Sequence, residues 1–172
     1  MLNGMRFVRF CIIIVTLTVD FTISISAQTI KNNNVSCNVL IDNVLLYARS
    51  KLGCTYEWGG DGPAYDCSGL VYYAYKQAGI NLKRTSRTLS EEGDYVLLTH
   101  IKKGDLVFFL SGDDDDKHIT HVGIAVSNYN DKDGDFLFIH SSKRNNGVYI
   151  NHFTDYNYQT TYAGARRIIR CD

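Results

Sequence analysis

Two hydrophobic rhythms divide the chain. Between Asn38 and Leu52 the apolar residues Leu40, Ile41, Val44, Leu45, Ala48 and Leu52 recur at helical spacing, and Gly53 follows as a C-terminal stop. A second ladder, Cys67, Leu70, Val71, Ala74, Tyr75 and Ala78, predicts a helix from Cys67 to about Gln77 that ends near Gly79. A shorter helix is predicted over Leu89 to Glu92. Beyond Gly104 the period falls to two. Leu106 to Leu110, His121 to Ser127, Phe136 to Ser141, Val148 to Asn151 and Ala163 to Ile169 read as five strands. Asp133-Gly134 and Asn146-Gly147 mark hairpin turns between them. Helices first and a meander afterwards predict an α+β domain, its N-terminal helices packed on a five-stranded antiparallel sheet.

The residues before the first helix follow neither rhythm. Arg6 and Arg9 precede an apolar run from Phe10 to Val19, and a polar stretch ends in Ser24-Ile25-Ser26-Ala27-Gln28. These are the parts of a secretory signal peptide, predicted over residues 1–27. The run is too short for a membrane span, and Asp20 interrupts it. A linker over 28–36 and a single domain over 37–172 are expected after it. Export would leave Cys37, Cys54, Cys67 and Cys171 in an oxidising compartment. Cys37 and Cys171, at opposite ends of that domain, are expected to pair, with Cys54 a buried free thiol.

Composition changes this picture little. Hydrophobic residues make up 45% of the 172 and charged residues 21%, enough for an ordinary core. Lys plus Arg and Asp plus Glu are equal at 18 each, so nothing supports a nucleic-acid partner, which needs a basic face.

Candidate chemistry begins at Cys67. Asp66 is a good N-cap, which makes Cys67 the first residue of its helix, where free amides and the helix dipole favour a thiolate. A glycine-rich loop, Trp58-Gly59-Gly60-Asp61-Gly62-Pro63, precedes it, and the poor helix formers Ser68 and Gly69 follow. On the strands, a hairpin centred between Asn130 and Asp131 would set His121 opposite His140, Gly123 opposite Phe138 and Ala125 opposite Phe136, all on one face. Cys67 would then be a nucleophile, His121 its base and His140 the group that orients the base. Three other clusters carry less. Asp113 to Asp116 read as a solvated loop tip, Asp131, Asp133 and Asp135 as a hairpin turn, and His118 lacks the further ligands of a zinc site. No metal or other cofactor is expected.

Five motifs in order carry a resemblance. Tyr56-Glu57-Trp58-Gly59-Gly60, Asp66-Cys67-Ser68-Gly69-Leu70-Val71, Gly104-Asp105-Leu106-Val107-Phe108-Phe109, His121-Val122-Gly123-Ile124 and Phe138-Ile139-His140-Ser141-Ser142 resemble the NlpC family of papain-like bacterial cell-wall peptidases. The match runs from about Val39 to Arg167. It implies a circularly permuted papain-like fold with Cys67, His121 and His140 as catalytic residues. It further implies that Tyr56 points its hydroxyl into the site and that Asp66 and Ser68 line the substrate's amino side. Arg84 and Ser86 match a polar stretch read as structural. The implied substrate is the peptidoglycan stem peptide, cut between γ-linked D-glutamate and a diamino acid (diaminopimelate or lysine). The enzyme would be a monomer, secreted or periplasmic and wall-associated, with no membrane span once its leader is removed. An amidase or acyltransferase on the same core, or a catalytically silent wall-binding module, are the competing readings.

Overall fold

The computed structural model describes residues 36–110 and 118–171. The leader, most of the linker and the acidic loop Asp113 to Asp116 lie outside the described residues. Two compact units are distinguished. Val39–Arg170 carries the sheet and the candidate site, and the chain ends form the other, whose described part holds a Cys37–Cys171 disulfide with Cα atoms 5.6 Å apart. Cys54 is free, as expected, but half-buried rather than buried.

The helical ladders fold as their spacing dictates. Helix α1 covers 36–49 and buries Val44, Leu45 and Ala48, ending before Leu52; the turn that follows it places Gly53 at φ +81°. Helix α2, Cys67–Gln77, fills its predicted span and buries Leu70, Val71, Ala74 and Tyr75 completely. The buried Tyr75 hydroxyl has a partner, the Gly104 carbonyl oxygen, to which it donates at 2.5 Å. The short helix α3 is Ser86–Leu89, not Leu89 to Glu92. The Thr85 hydroxyl accepts the Thr88 amide and starts the helix a turn earlier than apolar spacing alone indicates.

Among the described residues the sheet has six antiparallel strands, one more than the sequence reading. They are β1 (Asp94–Val96), β2 (Leu106–Leu110), β3 (Ile119–Ala125), β4 (Leu137–Ser142), β5 (Gly147–His152) and β6 (Tyr162–Arg167), in the order β1-β6-β2-β3-β4-β5. Strand β1 is three residues long and only Val96 is buried, too short for alternation to show. A short helix α4, Tyr158–Thr161, precedes β6 and buries Tyr158. Asp105, buried at the start of β2, accepts both the Nε (2.8 Å) and Nη2 (2.7 Å) of Arg167 on β6. That two-pronged ion pair keeps its charge matched inside the fold.

Helix α2 packs across β3 and β4, and this contact locates the site. Behind the two strands lies an aromatic cluster that includes Phe109, Phe136, Phe138, Phe153 and Tyr158. From Val122 to Ala125 and from Phe138 to Ser142 both faces of the strand pair are therefore dry. Any imidazole placed there must find its partners inside the protein.

Candidate active site

Asp66 caps α2 and holds the loop before it. One carboxylate oxygen accepts the Gly69 amide (2.5 Å), the Ser68 hydroxyl (3.1 Å) and Arg84 Nη1 (3.0 Å). The other accepts the Gly59 amide (3.0 Å) and Arg84 Nη2 (3.2 Å). Arg84 also donates to the carbonyl oxygens of Gly59 and Gly60, both at 2.9 Å. Gly69 is required here, because a Cβ would run into the Gly60 carbonyl oxygen. The resemblance's reading of Arg84 as structural fits these contacts. It ties the glycine-rich loop to the start of α2.

Cys67 opens α2 with its side chain largely buried. Its Sγ donates to the Thr120 carbonyl oxygen at 3.8 Å, which sets the sulfur against the residue before His121. Burial first, and then the Asp66 charge, push the thiol up to about 11. The amides of Val122, Ser68 and Cys67 itself pull the other way and do not prevail. The helix start alone led to the expectation of a thiolate. Burial works against that thiolate, since burying a charge costs more than one turn of helix dipole returns.

This has a measurable consequence. In a Cys54→Ser background, alkylation of Cys67 by iodoacetamide should rise about tenfold per pH unit from pH 7 to 10, because only the thiolate reacts. A rate already flat above pH 5 would show a preformed thiolate and contradict the burial argument.

The histidine pair lies on one face, as the alternation predicts, but in a different register. Ile124 pairs with Ile139 and Ala125 with Phe138, a shift of two residues from the expected pairing. The hairpin closes later than assumed, with Asn130 bridging Asp135. That later turn alone would move the pairing by four residues, and two extra residues on the Val126 to Tyr129 side take back two of them. A shift of two preserves the face, so the histidines still meet, diagonally. His121 Nε2 and His140 Nδ1 are 2.7 Å apart, with ring planes at 81°. Gly123 makes the crossing possible, since a Cβ there would lie 2.7 Å from Phe138 and 3.2 Å from His140.

His140 is fully buried and His121 half-buried. Burial lowers His140 to about 4, against the raising effect of its bond to Asn151. Burial, and then His140, hold His121 well below the ordinary imidazole value. Both rings are neutral at neutral pH. His140 Nε2 lies 2.9 Å from Asn151 Oδ1 and 3.5 Å from the Tyr158 hydroxyl.

Sequence reading missed Asn151, Tyr158 and Thr120 as parts of the site. The signal for Asn151 was present. The Asn146-Gly147 turn sets His140 opposite Tyr149, and Asn151, two residues on, shares that face.

Cys67 and His121 line one cavity of about 470 Å3, together with Tyr56, Trp58, Asp66, Ser68, Arg84 and Lys143. The six site residues expected from sequence therefore divide simply. Tyr56, Asp66, Cys67, Ser68 and His121 face the cavity, and His140 stands behind His121. Trp58, 88% exposed, rises at its rim. Among the described residues no cluster of His, Cys, Asp and Glu could hold a metal ion.

A cysteine at a helix start, laid over a histidine pair on an antiparallel sheet, is the arrangement of a papain-like α+β domain. The chain belongs to the NlpC/P60 family, which matches residues 53–167. A probable endopeptidase of Corynebacterium glutamicum is 45% identical over 78 residues, covering 45% of this chain and 34% of that protein. A γ-D-glutamyl-L-lysine dipeptidyl-peptidase of Bacillus cereus is 34% identical over 129 residues, covering 74% and 36%. The crystal structure of an NlpC/P60 family protein from Bacillus cereus superposes with a TM-score of 0.66 at 32% identity, covering 76% of this chain and 40% of that one. This chain thus spans about a third of the length of these curated relatives.

Proposed function

We propose that this chain is an exported cysteine endopeptidase that cuts peptidoglycan stem peptides between γ-D-glutamate and a diamino acid. One observation carries the chemistry. Cys67 shares a cavity with an imidazole whose Nε2 is already engaged, 2.7 Å from a second, buried imidazole. His121 takes the thiol proton as Sγ attacks the γ-carbonyl, and returns it to the leaving amine. A thioester to Cys67 remains, and water activated by the same imidazole releases it. The substrate class is supported by the Bacillus cereus dipeptidyl-peptidase, whose name specifies a γ-D-glutamyl bond. No helix among the described residues is long and apolar enough to cross a membrane. The leader-like residues 1–27 support action outside the cytoplasm.

Tyr56 and Ser68 are proposed to contact the amino-side residues of the substrate from the cavity wall. Asp66 shapes that wall. Two carboxylate oxygens offer about four lone pairs, and five donors from the protein already use them. A free substrate amine is therefore not required. An N-acetylated L-Ala-γ-D-Glu-diaminopimelate peptide is expected to be cut about as fast as the free peptide.

Digestion of purified peptidoglycan, with the fragments identified by mass spectrometry, tests the function. A new amino terminus on the diamino acid supports it. Release of whole stems from the glycan would indicate an amidase, exchange onto an added amine an acyltransferase, and binding without cleavage a silent wall module.

A further inference from the structure

The hydrogen bonds do not stop at His140. Asn151 Nδ2 donates to an Asp155 carboxylate oxygen at 3.1 Å, and the same oxygen accepts the His152 amide at 2.9 Å. Asn151 Oδ1 accepts the Asn145 side-chain amide at 2.9 Å as well as facing His140. We infer that Asp155, acting through the Asn151 amide, sets the proton positions of both imidazoles, so that the free nitrogen of His121 is always the bare one. The inference rests on the proposed role of His121 as base, and it adds Asn151 and Asp155 as positioning residues.

An ionised carboxylate only accepts, so the Asn151 amide must turn its NH2 toward Asp155 and its oxygen toward His140. An amide oxygen also only accepts, so His140 Nε2 carries the proton. His140 is neutral, which leaves its Nδ1 bare and able only to accept from His121. His121 Nε2 therefore carries a proton. Because His121 is neutral too, its Nδ1 is left bare to receive the proton of Cys67. Asn145 supports the same orientation, because its NH2 points at the same Asn151 oxygen.

The opposite order would be inactive. If the Asn151 amide were flipped, its NH2 would donate to His140 Nε2. Each imidazole would then shift its proton by one nitrogen, and His121 would present an N–H where a base is needed. Within the two histidines alone, both orders satisfy every bond. The charge at Asp155 breaks the tie, since a flipped amide would aim its oxygen at a carboxylate.

The test has a spectroscopic and a kinetic arm, both on the full chain. In protein labelled with 15N-histidine, the wild type should show His121 and His140 each protonated at Nε2 and bare at Nδ1. Asp155→Asn, which can accept or donate, should show a mixture of both tautomers at His140. Its kcat should fall roughly fivefold to tenfold with KM unchanged. Asp155→Glu should restore the single tautomer and most of kcat. A wild-type His140 protonated at Nδ1, or an Asp155→Asn protein that keeps the single tautomer and full kcat, would overturn the inference. The tautomer readout needs no turnover, so its failure is distinct from a failure of the proposed peptidase reading.

Discussion

Cys67→Ala is expected to lower hydrolysis of a stem peptide by roughly three orders of magnitude or more, while leaving the fold unchanged. The two halves of this expectation have separate causes. Without Sγ no thioester can form, and what remains is whatever the cavity gains by positioning a water molecule. The fold survives because the substitution removes one sulfur atom, whose contact to the Thr120 carbonyl is long at 3.8 Å. Asp66 still caps α2, and Arg84 still ties the loop. Turnover measured beside thermal unfolding separates the effects. A variant with native stability and near-normal turnover would remove Cys67 from the chemistry.

The second large effect concerns stability. Opening the Cys37–Cys171 bond by a Cys37→Ser substitution should cost about 5 kcal/mol in the chain-entropy relation, because the bond closes a span of 134 residues. Denaturant unfolding with and without reductant reads this directly. Reductant should shift the wild-type midpoint down to that of Cys37→Ser and leave the variant's own midpoint where it was. If reductant moves neither protein, the bond contributes nothing to stability.

Local features of this fold were legible in the sequence wherever one face of an element is buried. The α2 ladder gave its limits because Leu70, Val71, Ala74 and Tyr75 all point into the core. Strand β2 was likewise placed residue by residue. The short strand β1 escaped because three residues cannot show a period of two with one side chain buried. The histidines were assigned to one face correctly, since face depends only on odd or even spacing. Their register was not, because it depends on where the turn closes and on how unevenly the two strands enter it: the turn closes at Asn130 and Asp135, and the strand after Val126 takes up two extra residues.

The site was legible in part for a similar reason. Residue types that carry chemistry in any context, Cys67 with His121 and His140, announce themselves. Asn151 and Asp155 do not, because an amide and a carboxylate near a turn are ordinary surface residues until the fold aims them. How strongly burial opposes the thiolate was hidden, because burial is a property of the assembled structure. The helix start can be read from sequence, and the cover over it cannot.

The account's central claim is that acyl transfer passes through Cys67 at the γ-D-glutamyl carbonyl. Acid-quenched turnover of L-Ala-γ-D-Glu-diaminopimelate, followed by mass spectrometry of the intact and digested protein, tests it most directly. The predicted result is an alanyl-γ-glutamyl adduct mapped to Cys67, with free diaminopimelate released alongside. An adduct on another residue, or a cut at another bond of the peptide, would contradict it.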